Sequence, residues 1–211
     1  MDDGAVIIEL GGGANPVLKE EIVTLRKFNY LVIDTSKEEL QKATGEYFTR
    51  IHTDIEKTDV EYKADLIISK MVLEHIPNPN IFHQSIFNLL KNNGSVIHFY
   101  ATLYNIASIS NILLPEFISS YLVKRIQKRD ATTEAKFPAF YRKCFGPTKN
   151  QIDYFNNLGY NITQFNGYLG HHYFYFNKLL YKIENLYNKI LLRINSPYFC
   201  SNAILILKKY D

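Results

Sequence analysis

The stretch IIELGGGANP, residues 7–16, is an apolar run that meets an acid at Glu9, then three glycines at 11–13, then Asn15 and Pro16. A strand that leaves through a glycine-rich turn marks a ligand crevice at the carboxyl ends of a parallel sheet. Which ligand depends less on the glycines than on Glu9 and Pro16.

Reading outward, short apolar runs alternate with helical patterns: AVIIEL (5–10), YLVID (30–34), RIHTD (50–54), ADLIIS (64–69) and GSVIHFY (94–100). They are rich in Val and Ile without polar alternation, as expected for strands covered on both faces, and the spacers are long enough for crossover helices. This is the pattern of a parallel α/β sheet. The first helix is expected to start at Pro16 with Asn15 as its cap and to bury positions 17, 18, 22, 25 and 28. The second opens at Ser36, with Glu39 three residues on, and closes at Gly45. A third covers NPNIFHQSIFNLLKNNG (78–94) and ends at an Asn-Gly turn.

Beyond residue 103 the pattern changes. One or two helices broken at Pro115, then a polar-aromatic stretch, read as a lid over 103–150. A short helix ending at Gly159, a strand at NITQFN (161–166) and a last strand at NAILILKK (202–209) follow. Between those strands, residues 174–194 carry apolar side chains at helical spacing beside Lys178, Lys182, Lys189 and Arg193. Such a helix packs on its own body, pairs with a second copy in a homodimer, or makes peripheral contact with a membrane. The chain reads as one domain over 1–211, with a cofactor-binding half at 1–102 and the last strands at 151–211.

Bulk properties narrow the function. The 211 residues are 46% hydrophobic and 21% charged, with no apolar run long enough to span a membrane. The opening residues lack a secretory pattern, so a cytoplasmic location is expected. Cys144 and Cys200 stand far apart, which argues against a disulfide framework or a thiolate metal site. A formal net charge of +3 from scattered lysines gives no reason to expect nucleic acid.

Three ligands compete for the turn. A triphosphate loop needs Gly-Lys-Ser/Thr, which GGGANPV lacks. A dinucleotide fingerprint needs a glycine where Pro16 stands. Glu9 would set a carboxylate at the mouth, which repels a pyrophosphate and suits an ammonium and a sulfonium, as in S-adenosylmethionine. Asp34 ends the second strand, where a carboxylate can take both hydroxyls of a ribose. Asp54 falls where the third strand would meet an adenine edge, and reads equally as a turn-forming Asx.

With ADLIISKMVLEHIPNP (64–79) the chain resembles the class I, Rossmann-like S-adenosylmethionine-dependent methyltransferases of the small-molecule and glycan-pathway type. In that family the first strand ends in acid-x-Gly-x-Gly, the second in an acid, and the fourth runs into a segment like Leu73-Glu74-His75-Ile76. The resemblance implies a mostly parallel seven-stranded sheet with helices on both faces, a helical lid and a late helical insertion. It also implies that Glu9, Gly11, Gly12 and Gly13 hold the methionine end, and Asp34 with Thr35 the ribose. Asp54 and Ile55 would then meet the adenine, and Ser69, Lys70 and Met71 the methionine moiety. The family usually carries a helix before the first strand, whereas here the strand starts near Ala5.

Methyl transfer asks little of the protein beyond alignment, with a base needed for hydroxyl acceptors. Candidate catalytic groups are His75, Tyr104 and His171, with His172, Tyr100, Tyr141 and Arg142 as further pocket candidates. Adjacent histidines on an extended chain point to opposite sides, so no metal is expected. FPAFYRKCFGPTKNQIDYFNNLGYNI resembles methyltransferases of bacterial glycan and lipid-linked sugar pathways, implying O-methylation of a small molecule or sugar intermediate. The rival readings are a non-catalytic Rossmann-like binding module and a nicotinamide-dependent oxidoreductase.

Overall fold

The computed structural model describes residues 1–57, 62–104, 108–109, 138–170, 177–194 and 196–210. Along the chain run β1 (Val6–Leu10), α1 (Glu20–Leu25), β2 (Asn29–Asp34), α2 (Lys37–Lys42), β3 (Thr49–His52) and β4 (Ala64–Lys70). A 3-10 turn (Leu73–His75), α3 (Pro79–Leu89), β5 (Leu90–Ala101), α4 (Lys149–Asn157), β6 (Tyr160–Tyr168), α5 (Lys178–Ile194) and β7 (Asn202–Lys209) follow. Among the described residues the strands form one seven-stranded sheet in the order β3-β2-β1-β4-β5-β7-β6. The first five pair in parallel, and β7 runs antiparallel between β5 and β6.

Because side chains alternate along a strand, each buried strand feeds two cores. Ile7, Tyr30 and Val32 pack with Val23 of α1 and Leu40 of α2 on one face. Ile8, Leu10, Leu31, Ile33 and Ile67 pack with Phe82 and Ile86 of α3 and Phe155 of α4 on the other. Both faces are therefore covered by helices, as the unbroken apolar runs require. The order of β1 and β4 as central neighbours opens the crevice between their carboxyl ends.

Several local expectations are corrected. Helix α1 starts at Glu20 and not at Pro16, its N-cap is Lys19 rather than Asn15, and its buried residue is Val23, while Ile22 and Leu25 are exposed. The cause lies in the neighbouring strands. The Val17 N–H is taken by the Glu9 carboxylate at 2.9 Å and the Leu18 N–H by the Tyr30 hydroxyl at 3.4 Å, so the chain is held as a loop until residue 19. Ser36 caps α2 as expected, accepting from the Glu39 N–H, but the helix ends at Lys42, ahead of Gly45. The expected Asn-Gly turn is absorbed into a bulge: β4–β5 pairing jumps from Ala64–Leu90 to Leu66–Ser95, with Asn93 left-handed at φ 62°. The expected lid helices around Pro115 lie outside the described residues.

One buried feature dictates a pH response. His83 and His98 are buried between α3 and β5, their ring centroids 5.3 Å apart, and the Ser69 hydroxyl and His98 Nδ1 share a 2.6 Å hydrogen bond. Burial holds both rings in the neutral form, with His83 pushed down to about 3 and His98 well below the usual histidine range. The unfolded chain binds these protons near pH 6.5 and the folded chain does not, so stability is full above that pH and falls below it. Each histidine is expected to contribute a slope of about 1.4 kcal/mol per pH unit between 6.5 and its folded value. Thermal melts from pH 7.5 to 4.5 read this slope, which His83→Phe should reduce; an unchanged slope in that variant would contradict it.

Candidate active site

The site is built from loops at the carboxyl ends of β1, β2 and β4. β1 register sets Glu9 beside Val32 and Ile68, and the ladder continues into the turn through Gly11 N–H to Ile33 C=O at 2.7 Å. Glu9 is 1% exposed. Its Oε2 accepts from the Val17 N–H and from the Tyr30 hydroxyl. Burial pushes the Glu9 carboxyl up, and the Tyr30 and Val17 hydrogen bonds and the nearby Lys70 pull it back. Burial and the adjacent carboxylate push the Tyr30 phenol far up, which keeps it a donor. The Glu9 carboxylate is thus folded beneath the turn instead of standing free in the mouth.

The glycines are required by what they touch. A Cβ on Gly12 would lie 2.6 Å from Val32 Cγ1 and 2.9 Å from Glu9 Oε1. One on Gly11 would lie 2.4 Å from Val72 Cγ2, at a left-handed φ of 69°. Gly13, at φ 43°, presses on Asp34, with a virtual Cβ 3.1 Å from Oδ2. The turn therefore lies against Glu9 below, Asp34 on one side and the loop after β4 on the other, leaving bare backbone facing the crevice.

Asp34 is half-buried, and its Oδ1 accepts the Ser36 N–H at 2.8 Å. Burial pushes its carboxyl up, against hydrogen bonds from the Ser36, Gly13 and Thr35 backbone. Thr35 is exposed beside it, and its carbonyl meets His52 Nε2 at 3.1 Å. The end of β3 is tied in through Thr53 N–H to Asp34 C=O at 3.2 Å. Asp54 accepts the Glu56 N–H at 3.0 Å and pairs with Lys57 at 2.8 Å, which holds its carboxyl down. That is the Asx turn the sequence allowed. Ile55 is buried in the main core.

Beyond β4 the site candidates separate. Ser69 does not line the crevice with its hydroxyl: strand alternation turns it to the α3 face, onto His98. Lys70 lies on the Glu9 face, close enough to lower the Glu9 carboxyl. Met71 is left-handed at φ 58°, exposed, and tied by its N–H to Phe99 C=O at 2.7 Å. The 3-10 turn then brings Leu73 and Glu74 inward and leaves His75 half-exposed. His75 Nδ1 lies 2.7 Å from the Pro138 carbonyl, so Nδ1 carries the proton.

The chain re-entering at residue 138 closes on this same turn. Phe140 and Tyr141 N–H both donate to the Glu74 carbonyl, at 2.7 and 3.0 Å, and Arg142 Nη1 donates to the Pro77 carbonyl at 2.7 Å. Tyr104 is exposed at the end of β5 between Phe145 and Phe199, with centroids at 5.5 and 6.2 Å. Tyr100 is not a pocket group, since it is fully buried with its hydroxyl on the Phe145 carbonyl at 2.8 Å. Tyr141 is likewise buried, while Arg142 is exposed. His171 and His172 lie outside the described residues. A cleft of about 640 Å³ beside the turn is lined by Pro77, Asn78, Ile81, Arg142, Lys143 and Phe145, among others.

A family model for a methyltransferase domain matches residues 2–163. The chain belongs to that family. Methyltransferases of this architecture take S-adenosyl-L-methionine as donor, and this enzyme is a transferase of that kind. Solved structures with the same fold include phosphoethanolamine N-methyltransferase 2 of Haemonchus contortus bound to S-adenosyl-L-methionine (TM-score 0.61, 14% identity, 100% of this chain and 50% of that one). A Methanosarcina mazei S-adenosylmethionine-dependent methyltransferase (0.57, 14%, 100% and 94%) and one from Mesorhizobium loti (0.56, 13%, 98% and 91%) are similar too. The chain spans half the length of the Haemonchus contortus enzyme. No curated protein matches it.

Two residues escaped the sequence reading of this methyltransferase. Tyr30 opens β2 as an ordinary strand tyrosine, and only the β1–β2 register reveals its hydroxyl on Glu9. Glu74 is 3% exposed, and burial pushes its carboxyl up to about 7; its Oε2 has no partner among the described residues. The Leu-Glu-His segment was the available signal. For the first, removing the hydroxyl takes one of its two donors from the buried Glu9 carboxylate and leaves the Val17 N–H. Tyr30→Phe is expected to cost about 1–3 kcal/mol of stability by chemical denaturation, and a loss below about 0.5 kcal/mol would show that the bond is dispensable.

Proposed function

We propose that this methyltransferase moves a methyl group to a hydroxyl of a small molecule or sugar intermediate, with His75 as proton acceptor. The observation that carries the reading is the His75 ring held by Pro138 C=O on the turn after β4, at the same carboxyl edge of the sheet from which the chain after β5 carries Tyr104 to its ring contacts with Phe145 and Phe199. With Nδ1 donating to that carbonyl, Nε2 is the atom that takes a proton. Flat aromatic faces suit the C–H faces of a sugar ring.

The residues present fit the donor. The bare backbone of Gly11–Gly13, where any Cβ would collide with Val72, Val32, Glu9 or Asp34, receives the methionine end; Glu9 and Lys70 set the charge there. Asp34 Oδ2, pressed against Gly13, serves the ribose with Thr35 alongside, and the segment Asp54–Ile55 borders the adenine. When bound, the donor supplies a methyl on a sulfonium, a leaving group good enough that alignment gives most of the rate. The protein's remaining tasks are to position the acceptor oxygen and accept its proton.

A transfer assay with donor labelled in the methyl group, run over hydroxyl and amine acceptors including glycosides, tests this reading. His75→Asn is expected to lower kcat by about 10²- to 10⁴-fold on a hydroxyl acceptor while donor affinity stays within twofold. Unaltered kcat, or transfer to amines alone, would overturn it.

A further inference from the structure

Helix α5 presents two surfaces that nothing in the methyl-transfer site uses. At 100° per residue, Leu179, Ile183, Leu186, Ile190 and Ile194 fall within an arc of about 80°. All five are exposed, between 47% and 66%. Lys178, Lys182, Lys189 and Arg193 occupy the adjoining arc of about 60°. The side turned to the body holds Leu191 and Glu184, at 6% and 4% exposure. Glu184 is the single acid between residues 177 and 210, so the outward face carries four cations and no carboxylate. Those four exceed the formal net charge of the whole chain, +3.

We propose that α5 seats this protein on an anionic lipid surface, apolar stripe down among the acyl chains and cations among the headgroups. Charge decides the occupant. A second copy laid on this face has no acid on its own α5 face to receive the cations, whereas anionic headgroups complement all four. An exposed strip of five aliphatic side chains beside a cation row is the arrangement an interfacial helix needs. Among the described residues no helix is long and apolar enough to cross a membrane, so the contact is peripheral.

The helix is also tied to the acceptor side. The chain leaving α5 is wedged so closely that a Cβ on Gly146 would lie 2.1 Å from the Pro197 carbonyl oxygen. The Thr102 hydroxyl donates to the Cys200 carbonyl, and Phe199 stands 6.2 Å from Tyr104, ring to ring. Seating α5 on lipid therefore fixes the lipid surface relative to the carboxyl edge of the sheet. Lipid binding through α5 is independent of which acceptor is used.

The test is co-sedimentation of the full chain with vesicles of phosphatidylcholine alone and of phosphatidylcholine with one third phosphatidylglycerol. Binding is expected at least tenfold tighter to the anionic vesicles and weaker in high salt. The double variant Ile183→Asp/Leu186→Asp and the double variant Lys182→Glu/Lys189→Glu should each lose tenfold or more. Since these side chains are exposed, both variants should keep donor affinity, which separates loss of lipid binding from loss of fold. No binding to anionic vesicles, or binding indifferent to both variants, would overturn the proposal. So would a dimer in sedimentation equilibrium that Ile183→Asp/Leu186→Asp splits, which would make a second copy the occupant.

Discussion

The site depends on one buried carboxylate that must be satisfied. Glu9 lies at the carboxyl end of β1 on the face shared with Tyr30 and Val32, and is almost wholly removed from water. A buried carboxylate without donors would be costly, and two groups remove that cost: the Tyr30 hydroxyl from β2 and the Val17 N–H from the far end of the turn. The second bond is what makes the turn a fixed object. It draws residue 17 back over residue 9, delays α1 to Glu20, and leaves Gly11–Gly13 as the backbone that spans the gap.

From that anchor the neighbouring loops acquire their positions. Gly12 lies on Glu9, Gly13 on Asp34 and Gly11 on Val72, so the ends of β1, β2 and β4 meet through three missing side chains. Val72 belongs to the same short segment as His75, and the Glu74 carbonyl in that segment receives the chain as it returns at Phe140 and Tyr141. The glycine turn and the returning chain thereby meet on one loop, the segment Val72–His75. Lys70 completes the electrostatics, a cation near the carboxylate at the crevice floor.

Much of this was legible in the sequence, for physical reasons. Doubly covered strands read as unbroken Val and Ile runs, so β1, β2, β4, β5 and β7 were placed, and the capping pair Ser36–Glu39 located α2. The glycine turn and Asp34 were placed together because strand order follows from the alternating pattern. What failed depended on contacts between segments distant in sequence. Tyr30 reaches Glu9 across 21 residues, and that bond with its Val17 partner, not a cap at Asn15, sets where α1 begins. The resemblance puts Ser69 along the methionine moiety, whereas the alternation that sends Ile68 to one face turns the Ser69 hydroxyl to the other, onto His98. Tyr100 is likewise an inward residue of β5, which its place in an unbroken apolar run does not reveal.

Glu9 acts from beneath the turn and not from its mouth, by shaping the turn and by setting the charge of its floor. Calorimetric titration of Glu9→Gln with S-adenosylmethionine, beside the unaltered protein, measures that most directly. The account predicts about tenfold weaker binding in the variant, equivalent to about 1.4 kcal/mol, and no binding of a nicotinamide dinucleotide by either protein. Equal affinity of the two proteins for S-adenosylmethionine, or uptake of the dinucleotide by the unaltered protein, would contradict it.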